Sequence, residues 1–304
     1  MKRSRKRSLR RLKKRNALSH QEMAQELFST SSYKRINGER LRCRQLMKPQ
    51  SRGGPMHKRS SRLQFTFPSS LRLEEKDRAF FERMWQGGLD RYAARIHNIG
   101  FERQGRVLDA GCGFGQWLLV LAQKNKEVLG IDVDANRVAV AQALIRKNKL
   151  RNASVRQETV EHIAEPDASF DCIFSYSTVF YTDYLQTLRT FYRLLKPGGK
   201  LYFTTNSWGK YLHDLLWNPN ATEDFSPRRF ACHVLFTNLF GLQGPATVTP
   251  KRRLRRQLSE IGFKNIRMGP DGALTLKGTA SKQLSFFPPT YCGLDSVYEV
   301  LAEK

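Results

Sequence analysis

The chain has 304 residues, 40% hydrophobic and 26% charged, enough for one full core with appendages. No apolar run approaches the roughly eighteen residues of a transmembrane helix, and Met1-Lys-Arg-Ser-Arg-Lys-Arg7 is not followed by the apolar stretch of a secretory signal. A cytoplasmic protein without a membrane partner is therefore expected, and five scattered cysteines (Cys43, Cys112, Cys172, Cys232, Cys292) with no paired metal spacing fit a reduced compartment and no metal site.

The formal net charge of +26 is unevenly placed: residues 1–62 hold 20 Lys/Arg and 3 Glu, whereas residues 63–304 hold 33 Lys/Arg and 24 Asp/Glu. Residues 1–65 have too few large apolar side chains to offset ordering entropy, so they read as a disordered basic tail. Such a tail can grip phosphate, can address an organelle, or can be a dispensable extension preceding a start at Met47 or Met56. Ser19 and Glu22 have the spacing of a capping box, a weak sign of one short helix.

From residue 76 the pattern changes. Phe80, Phe81, Trp85, Leu89, Tyr92 and Ile96 recur at mostly three-to-four spacing, which predicts one or two helices between 76 and 99. A first strand is expected at 106–109, a helix at 116–124 and a second strand at 128–132. Asp134 can cap the next helix, in which Val138, Ala141 and Ile145 share a face. A third strand falls at 153–156 and a fourth, apolar enough for burial on both faces, at 170–176. A helix carrying Leu185, Leu188, Tyr192 and Leu195 must stop before Pro197; Gly198 and Gly199 then turn the chain into a fifth strand at 200–205. Residues 207–250 read as irregular. A last helix is expected at 251–261, then a closing strand pair, 262–268 with 273–277, around the turn Pro270-Asp271-Gly272. This alternation predicts a doubly wound, mostly parallel α/β sheet with an antiparallel edge.

The chemistry concentrates at Asp109-Ala-Gly-Cys-Gly-Phe-Gly115 and Gly130-Ile-Asp132. Glycines at 111, 113 and 115 let the backbone turn sharply and approach a ligand, and the following helix offers unpaired N–H groups. Asp132, at the tip of the adjacent strand, is placed to accept from two ribose hydroxyls. A dinucleotide fits poorly. Its fingerprint wants Gly-x-Gly-x-x-Gly, but Gln116 stands in the third glycine's place, and an anion at Asp109 would repel a pyrophosphate while suiting an ammonium and a sulfonium.

Val107-Leu-Asp-Ala-Gly-Cys-Gly-Phe-Gly115 resembles the first motif of class I S-adenosylmethionine-dependent methyltransferases. Asp132, Gln157-Glu-Thr159, Ser169-Phe-Asp-Cys-Ile-Phe-Ser-Tyr176 and Leu194-Leu-Lys-Pro-Gly-Gly-Lys-Leu201 follow in the family's order, over about residues 76–278. The resemblance implies a seven-stranded Rossmann-like sheet and S-adenosylmethionine as cofactor. It implies that Gly111, Gly113 and Gly115 line the methionine part, while Asp109 shapes the loop and faces the amino group. Asp132 would hold the ribose, with Val133 beside the adenine and Glu158 and Thr159 at the adenine edge. Ser175 and Tyr176 would face the methyl-transfer cleft. The chain departs from the family where Gln157-Glu158 replaces the usual Gly-Asp.

On this reading residues 66–280 form the methyltransferase domain, 207–250 being an aromatic substrate-recognition lid, and 281–304 a C-terminal extension. Tyr181, His213 and His233 are candidate general bases, each with a packing or surface role to set against it, His233 reading as a core histidine; no catalytic base is assigned. The Asn/Asp-Pro-Pro-Tyr/Phe signature of enzymes that methylate amino groups of nucleic-acid bases is absent, and Cys172 lies mid-strand rather than after a proline, which weakens nucleobase substrates without excluding ribose, protein or ribosomal ones; the aromatic-rich lid makes a small-molecule acceptor the expectation. The alternative is an RNA or ribonucleoprotein acceptor gripped by the tail and by the second basic cluster at 251–256, with nucleic acid as partner.

Overall fold

The computed structural model describes residues 63–67, 73–86, 88–276 and 285–304; of the tail expected at 1–65, residues 1–62 lie outside the described residues. Phe65, counted with that tail in the sequence, is fully buried and stacks on Phe81 with ring centroids 4.8 Å apart, so the packed chain already includes it.

Helices α1 (Glu75–Gln86) and α2 (Asp90–Asn98) fill the first helical region. They are followed by β1 (Arg106–Ala110), α3 (Gln116–Lys124), β2 (Glu127–Asp132), α4 (Ala135–Lys147), β3 (Ala153–Gln157) and β4 (Phe170–Ser175). A 3-10 turn (Val179–Tyr181), α5 (Tyr184–Leu194) and β5 (Leu195–Asn206) complete the expected alternation. Its local causes are those the sequence offers. Asp134 caps α4 by accepting from the Asn136 and Arg137 amides at 2.8 and 3.1 Å. Asp183 does the same for α5 through Gln186 N–H at 3.2 Å.

Residues 207–250, expected to be irregular, carry two helices, α6 (Trp208–Trp217) and α7 (Pro227–Leu239). Ser226 accepts from the Arg229 amide at 3.4 Å and Pro227 opens the first turn, so a cap and an N1 proline start α7 within the loop-like composition. Asn218, with φ +47°, ends α6 in the left-handed conformation that asparagine tolerates. Helix α8 (Lys251–Ile261) stops at Gly262, φ +119°.

The seven-stranded sheet runs β3-β2-β1-β4-β5-β9-β6, where β6 is Lys264–Pro270 and β9 is Val297–Glu303. Strands β1 to β5 pair in parallel, and β9 is antiparallel to both β5 and β6. Two expectations change here. Residues 273–276 are not a strand, and β6 takes its partner from the chain's end. The segment expected as an extension thus supplies a strand inside the sheet, and Val297–Ala302, Glu299 included, is buried on both faces. A second, two-stranded ribbon pairs β7 (Thr290–Tyr291) with β8 (Leu294–Asp295).

Helices cover both faces. Ile96, Trp117, Leu118 and Val140 pack on one side, and Leu188, Phe191, Leu254 and Leu258 on the other. A third cluster, Phe180, Tyr211, Ala231, Val234, Ala246 and Val248, joins α6 and α7 to the end of the 3-10 turn.

One ionic cluster sits inside this packing. Arg95 from α2 donates to Asp271 at 2.8 Å, to Tyr202 at 2.8 Å and to Glu299 at 3.3 Å, all fully buried. Tyr202 donates to Glu299 at 2.6 Å and Tyr176 to Asp271 at 3.0 Å. Asp271 also accepts from the Phe286 amide at 2.6 Å, and Glu299 accepts from the Leu274 amide. The turn at Pro270-Asp271-Gly272 therefore leads the chain over Arg95 instead of back along β6.

Candidate functional site

The loop between β1 and α3 is held by the tip of β2. The Gly111 and Cys112 amides both donate to Ile131 O at 2.8 Å, and the Gly113 amide donates to Asp132 Oδ2 at 2.9 Å. The other oxygen of Asp132 accepts from the Asp134 amide at 3.0 Å. Gly111, Gly113 and Gly115 adopt φ of +77°, +54° and +88°, in the left-handed region. Space is a second constraint. A Cβ on Gly111 would lie 2.1 Å from Thr178 Oγ1, and one on Gly115 would press on Ala141 at 3.3 Å.

Behind the loop, Asp109 is fully buried and neither carboxylate oxygen makes a hydrogen bond within normal geometry, although the Leu118 amide lies close enough to favour the anion weakly. Burial first, and the Asp132 charge second, push its pKa well above the usual aspartate range. Gln116 Oε1, at the start of α3 and 3.9 Å from where a Gly113 Cβ would sit, is also buried without a donor. Three buried acceptor oxygens thus lie by this loop, with the Leu118 amide the one protein N–H near them and none in hydrogen-bonding geometry. Buried acceptors are ordinarily paired, so the arrangement fits a ligand that brings its own donors, such as an ammonium.

Val133 follows Asp132 as an apolar ledge, 61% exposed. The Glu158 amide donates to Asp132 O at 3.1 Å, bringing the end of β3 to the same edge, where Thr159 is exposed. The Glu158 carboxylate is drawn back toward Arg156, 3.5 Å away. The loop, Asp132-Val133 and 158–159 therefore converge.

Ser175 and Tyr176 do not share the cleft in the expected way. Ser175 is fully buried and donates to Ala110 O at 2.8 Å, tying β4 to the base of the loop. Tyr176 bonds Asp271 and packs against Trp117, ring centroids 4.9 Å apart. Thr178, unassigned from the sequence, is the side chain that meets Gly111. Gln116 also went unassigned as a ligand contact, though its place in the motif was noted.

The 218–226 turn reaches α1. The Lys76 amide donates to Asp224 at 3.2 Å and the Glu223 amide to Glu75 at 3.3 Å. Helix α1 in turn packs Phe81 on Phe114 of the loop, centroids 5.5 Å apart. His213 lies flat between Tyr291 (3.9 Å) and Trp217 (5.2 Å), with Nδ1 3.4 Å from Asp214. Tyr181 is 57% exposed, yet crowding around its hydroxyl and the Asp214 charge raise its pKa against the opposing effect of Arg137. His233, expected in the core, is exposed, because α7 buries Ala231, Val234 and Thr237 instead.

A glycine loop after β1, an acid at the tip of β2 and helices on both faces of the sheet define a Rossmann-like nucleoside-cofactor domain. A family model described as "Methyltransferase domain" matches residues 107–199, from β1 into β5. A malonyl-[acyl-carrier protein] O-methyltransferase of Serratia marcescens is 28% identical over 64% of this chain and 78% of its own length. A demethylmenaquinone methyltransferase of Listeria welshimeri is 32% identical over 31% of this chain and 42% of its own. A chain from the complex of the Haloferax volcanii Trm112 methyltransferase activator superposes with TM-score 0.51 at 18% identity, covering 75% of this chain and 92% of that one, a likeness of fold. The chain is thus similar to methyltransferases, and the match to the methyltransferase domain is confined to residues 107–199.

Proposed function

We propose that the protein transfers a methyl group from S-adenosylmethionine to a small-molecule acceptor. The observation that carries this is the set of unpartnered oxygens, Asp109 Oδ1 and Oδ2 and Gln116 Oε1, beneath the three-glycine loop. In this reading Asp109 and Gln116 serve the cofactor's amino group, and Gly111, Gly113 and Gly115 leave room for its methionine part. Asp132 exchanges its hold on the loop for the ribose hydroxyls. Val133, Glu158 and Thr159 flank the adenine.

When bound, the cofactor supplies a methyl group already activated on a sulfonium, so the chain's task is alignment and exclusion of water. The 207–250 segment does this as a lid, and its contact with α1 through Asp224 and Glu223 closes the site on one side. An aromatic-rich lid suits a small or partly apolar acceptor better than a folded nucleic acid. The Serratia and Listeria relatives, named for a malonyl carrier thioester and a demethylated menaquinone, point the same way.

The test is calorimetry with S-adenosylmethionine on the full chain and on Asp132→Ala, followed by S-adenosylhomocysteine formation with malonyl thioesters, demethylated quinols and ribosomal RNA. Binding that is lost in Asp132→Ala and turnover on a small acceptor are expected. No binding, or turnover on the RNA alone, overturns the reading.

A further inference from the structure

From Phe230 to Pro250 the chain contains no Asp, Glu, Lys or Arg, although 26% of its residues are charged. The stretch spans most of α7 and the turn after it. Its inner residues, Ala231, Val234, Ala246 and Val248, belong to the third core cluster. Its outer residues are apolar as well: Phe236 is 54% exposed, Leu239 71%, Phe240 63% and Leu242 55%. The rings of Phe236 and Phe240 lie 4.8 Å apart and form one surface.

This surface is a protruding tip. Every residue from Leu239 to Gly244 is exposed, and a Cβ on Gly241, φ +66°, would meet nothing within 4 Å. The Asn238 side chain then turns the chain back, donating to Ala246 O at 2.8 Å and accepting from the Val248 amide at 2.8 Å. Three residues later α8 begins with Lys251-Arg-Arg253. Lys251 is paired with Asp295 at 2.8 Å, whereas the exposed Arg252 and Arg253 have no acidic partner among the described residues.

We propose that this tip docks on an anionic lipid surface. Four large apolar side chains on one helix end, unbroken by charge and followed by free arginines, match what a bilayer interface accepts. The apolar groups enter the acyl boundary and the guanidinium groups meet anionic headgroups. Exposed apolar clusters of this kind are rare on soluble surfaces without a partner. Such docking is peripheral; no helix among the described residues is long and apolar enough to cross a membrane. The proposal stands apart from the identity of the methyl acceptor.

The test is flotation of the full chain with vesicles of phosphatidylcholine alone and of phosphatidylcholine mixed with phosphatidylglycerol. Floating with the mixed vesicles is expected. Phe236→Ser/Leu239→Ser/Phe240→Ser, which leaves every charge in place, lowers the partition at least tenfold. Arg252→Glu/Arg253→Glu lowers it severalfold at low salt, and the difference vanishes at high salt. S-Adenosylmethionine binding by calorimetry checks that the variants are folded. In a second measurement the fluorescence of Leu239→Trp is quenched by brominated lipid beyond the wild-type response. Three results overturn the proposal: a serine variant that floats like the wild type, wild-type chain that stays lipid-free, or Leu239→Trp emission quenched no more than that of the wild type. A self-associated wild type that the serine variant makes monomeric, with neither floating, assigns the tip to a second copy of the chain instead.

Discussion

Two pairs of buried carboxylates set the two ends of the sheet apart. Asp271 and Glu299 lie beside β5 and β9 with Arg95 between them, and nearly every oxygen is met by an N–H or O–H of the chain. Asp109 and Asp132 lie at β1 and β2 with no cation between them, and both oxygens of Asp109 are unsatisfied. The first pair is complete within the protein. In the second, Asp132 is met by the Gly113 and Asp134 amides, while Asp109 has no hydrogen bond in normal geometry and no cation beside it. Burial alone therefore does not mark a site; burial with the counter-charge missing does.

The contrast is broken most severely at Arg95. Arg95→Met leaves Asp271 and Glu299 buried without their cation, and a loss of about 3–5 kcal/mol in unfolding free energy is expected from denaturant titration. Burial already raises the Glu299 pKa, so the variant should recover stability as the pH falls and the carboxyls protonate. Adding Glu299→Gln should restore part of the loss at neutral pH. A loss below the error of the titration would mean the cluster is not the closed structural unit described.

Gly111→Ala tests the other end by a different route. It places a Cβ at φ +77° and against Thr178, at a cost of about 1–3 kcal/mol. Cofactor binding, measured by calorimetry, should fall further than that stability loss accounts for, because Thr178 and the loop can make room only by moving into the cofactor's space. Wild-type affinity in this variant would show that the loop does not approach the ligand.

These two ends were not equally legible. The β1–β4 half was read almost residue by residue, because its determinants are local: left-handed glycines, a capping aspartate at 134, strands apolar on both faces. The β5–β9–β6 end was not. Strand β9 pairs with a strand some ninety positions earlier (Asn206↔Val297), and nothing near Val297 in sequence announces that partner. Arg95, Asp271 and Glu299 meet only after the sheet is assembled, so no spacing relates them. Within the site, the partners of Ser175 (Ala110 O) and Tyr176 (Asp271) come from distant segments and carry no sequence signal. His233 was misplaced because an apolar run was taken for burial, whereas the helical period puts it on the outer side of α7. Helices α6 and α7 were hidden by the Asn and Pro of the turn between them, which terminate and cap them.

Asp109→Asn gives a smaller effect of opposite sign. A carboxyl whose pKa is raised on folding binds its proton more tightly in the native state, so it costs nothing below the ordinary aspartate value of 3.8. Its cost accrues as the pH rises above that value, where the unfolded carboxyl ionises while the native one still holds its proton, and it levels off above the raised native pKa. Near pH 4 the variant and the wild type should unfold at similar temperatures. Near pH 8 the variant should be the more stable by about 1–3 kcal/mol, the range expected when a buried unsatisfied charge is removed. In the same variant S-adenosylmethionine should bind more weakly, since the ammonium loses its anion. Stability and affinity moving in opposite directions separates a ligand-facing group from a structural one; a variant less stable at both pH values would place Asp109 with Asp271 and Glu299 as part of the frame.

The weakest perturbation uses the cysteines as reporters of the same boundary. Burial raises the Cys172 pKa to about 12 and that of Cys112 well above the usual thiol range, Asp109 adding to the latter. Cys232 and Cys292 are exposed. A thiol reagent at neutral pH should label Cys232 and Cys292 within the time that Cys112 and Cys172 stay unmodified, since only the thiolate attacks. Asp109→Asn should speed Cys112 labelling relative to Cys172, because the added repulsion is gone while the burial remains. Saturating S-adenosylmethionine should slow Cys112 alone, as the loop that carries it is clamped. If Cys172 were protected equally, the ligand would be stiffening the whole sheet, and the division between a closed end and an open one would fail.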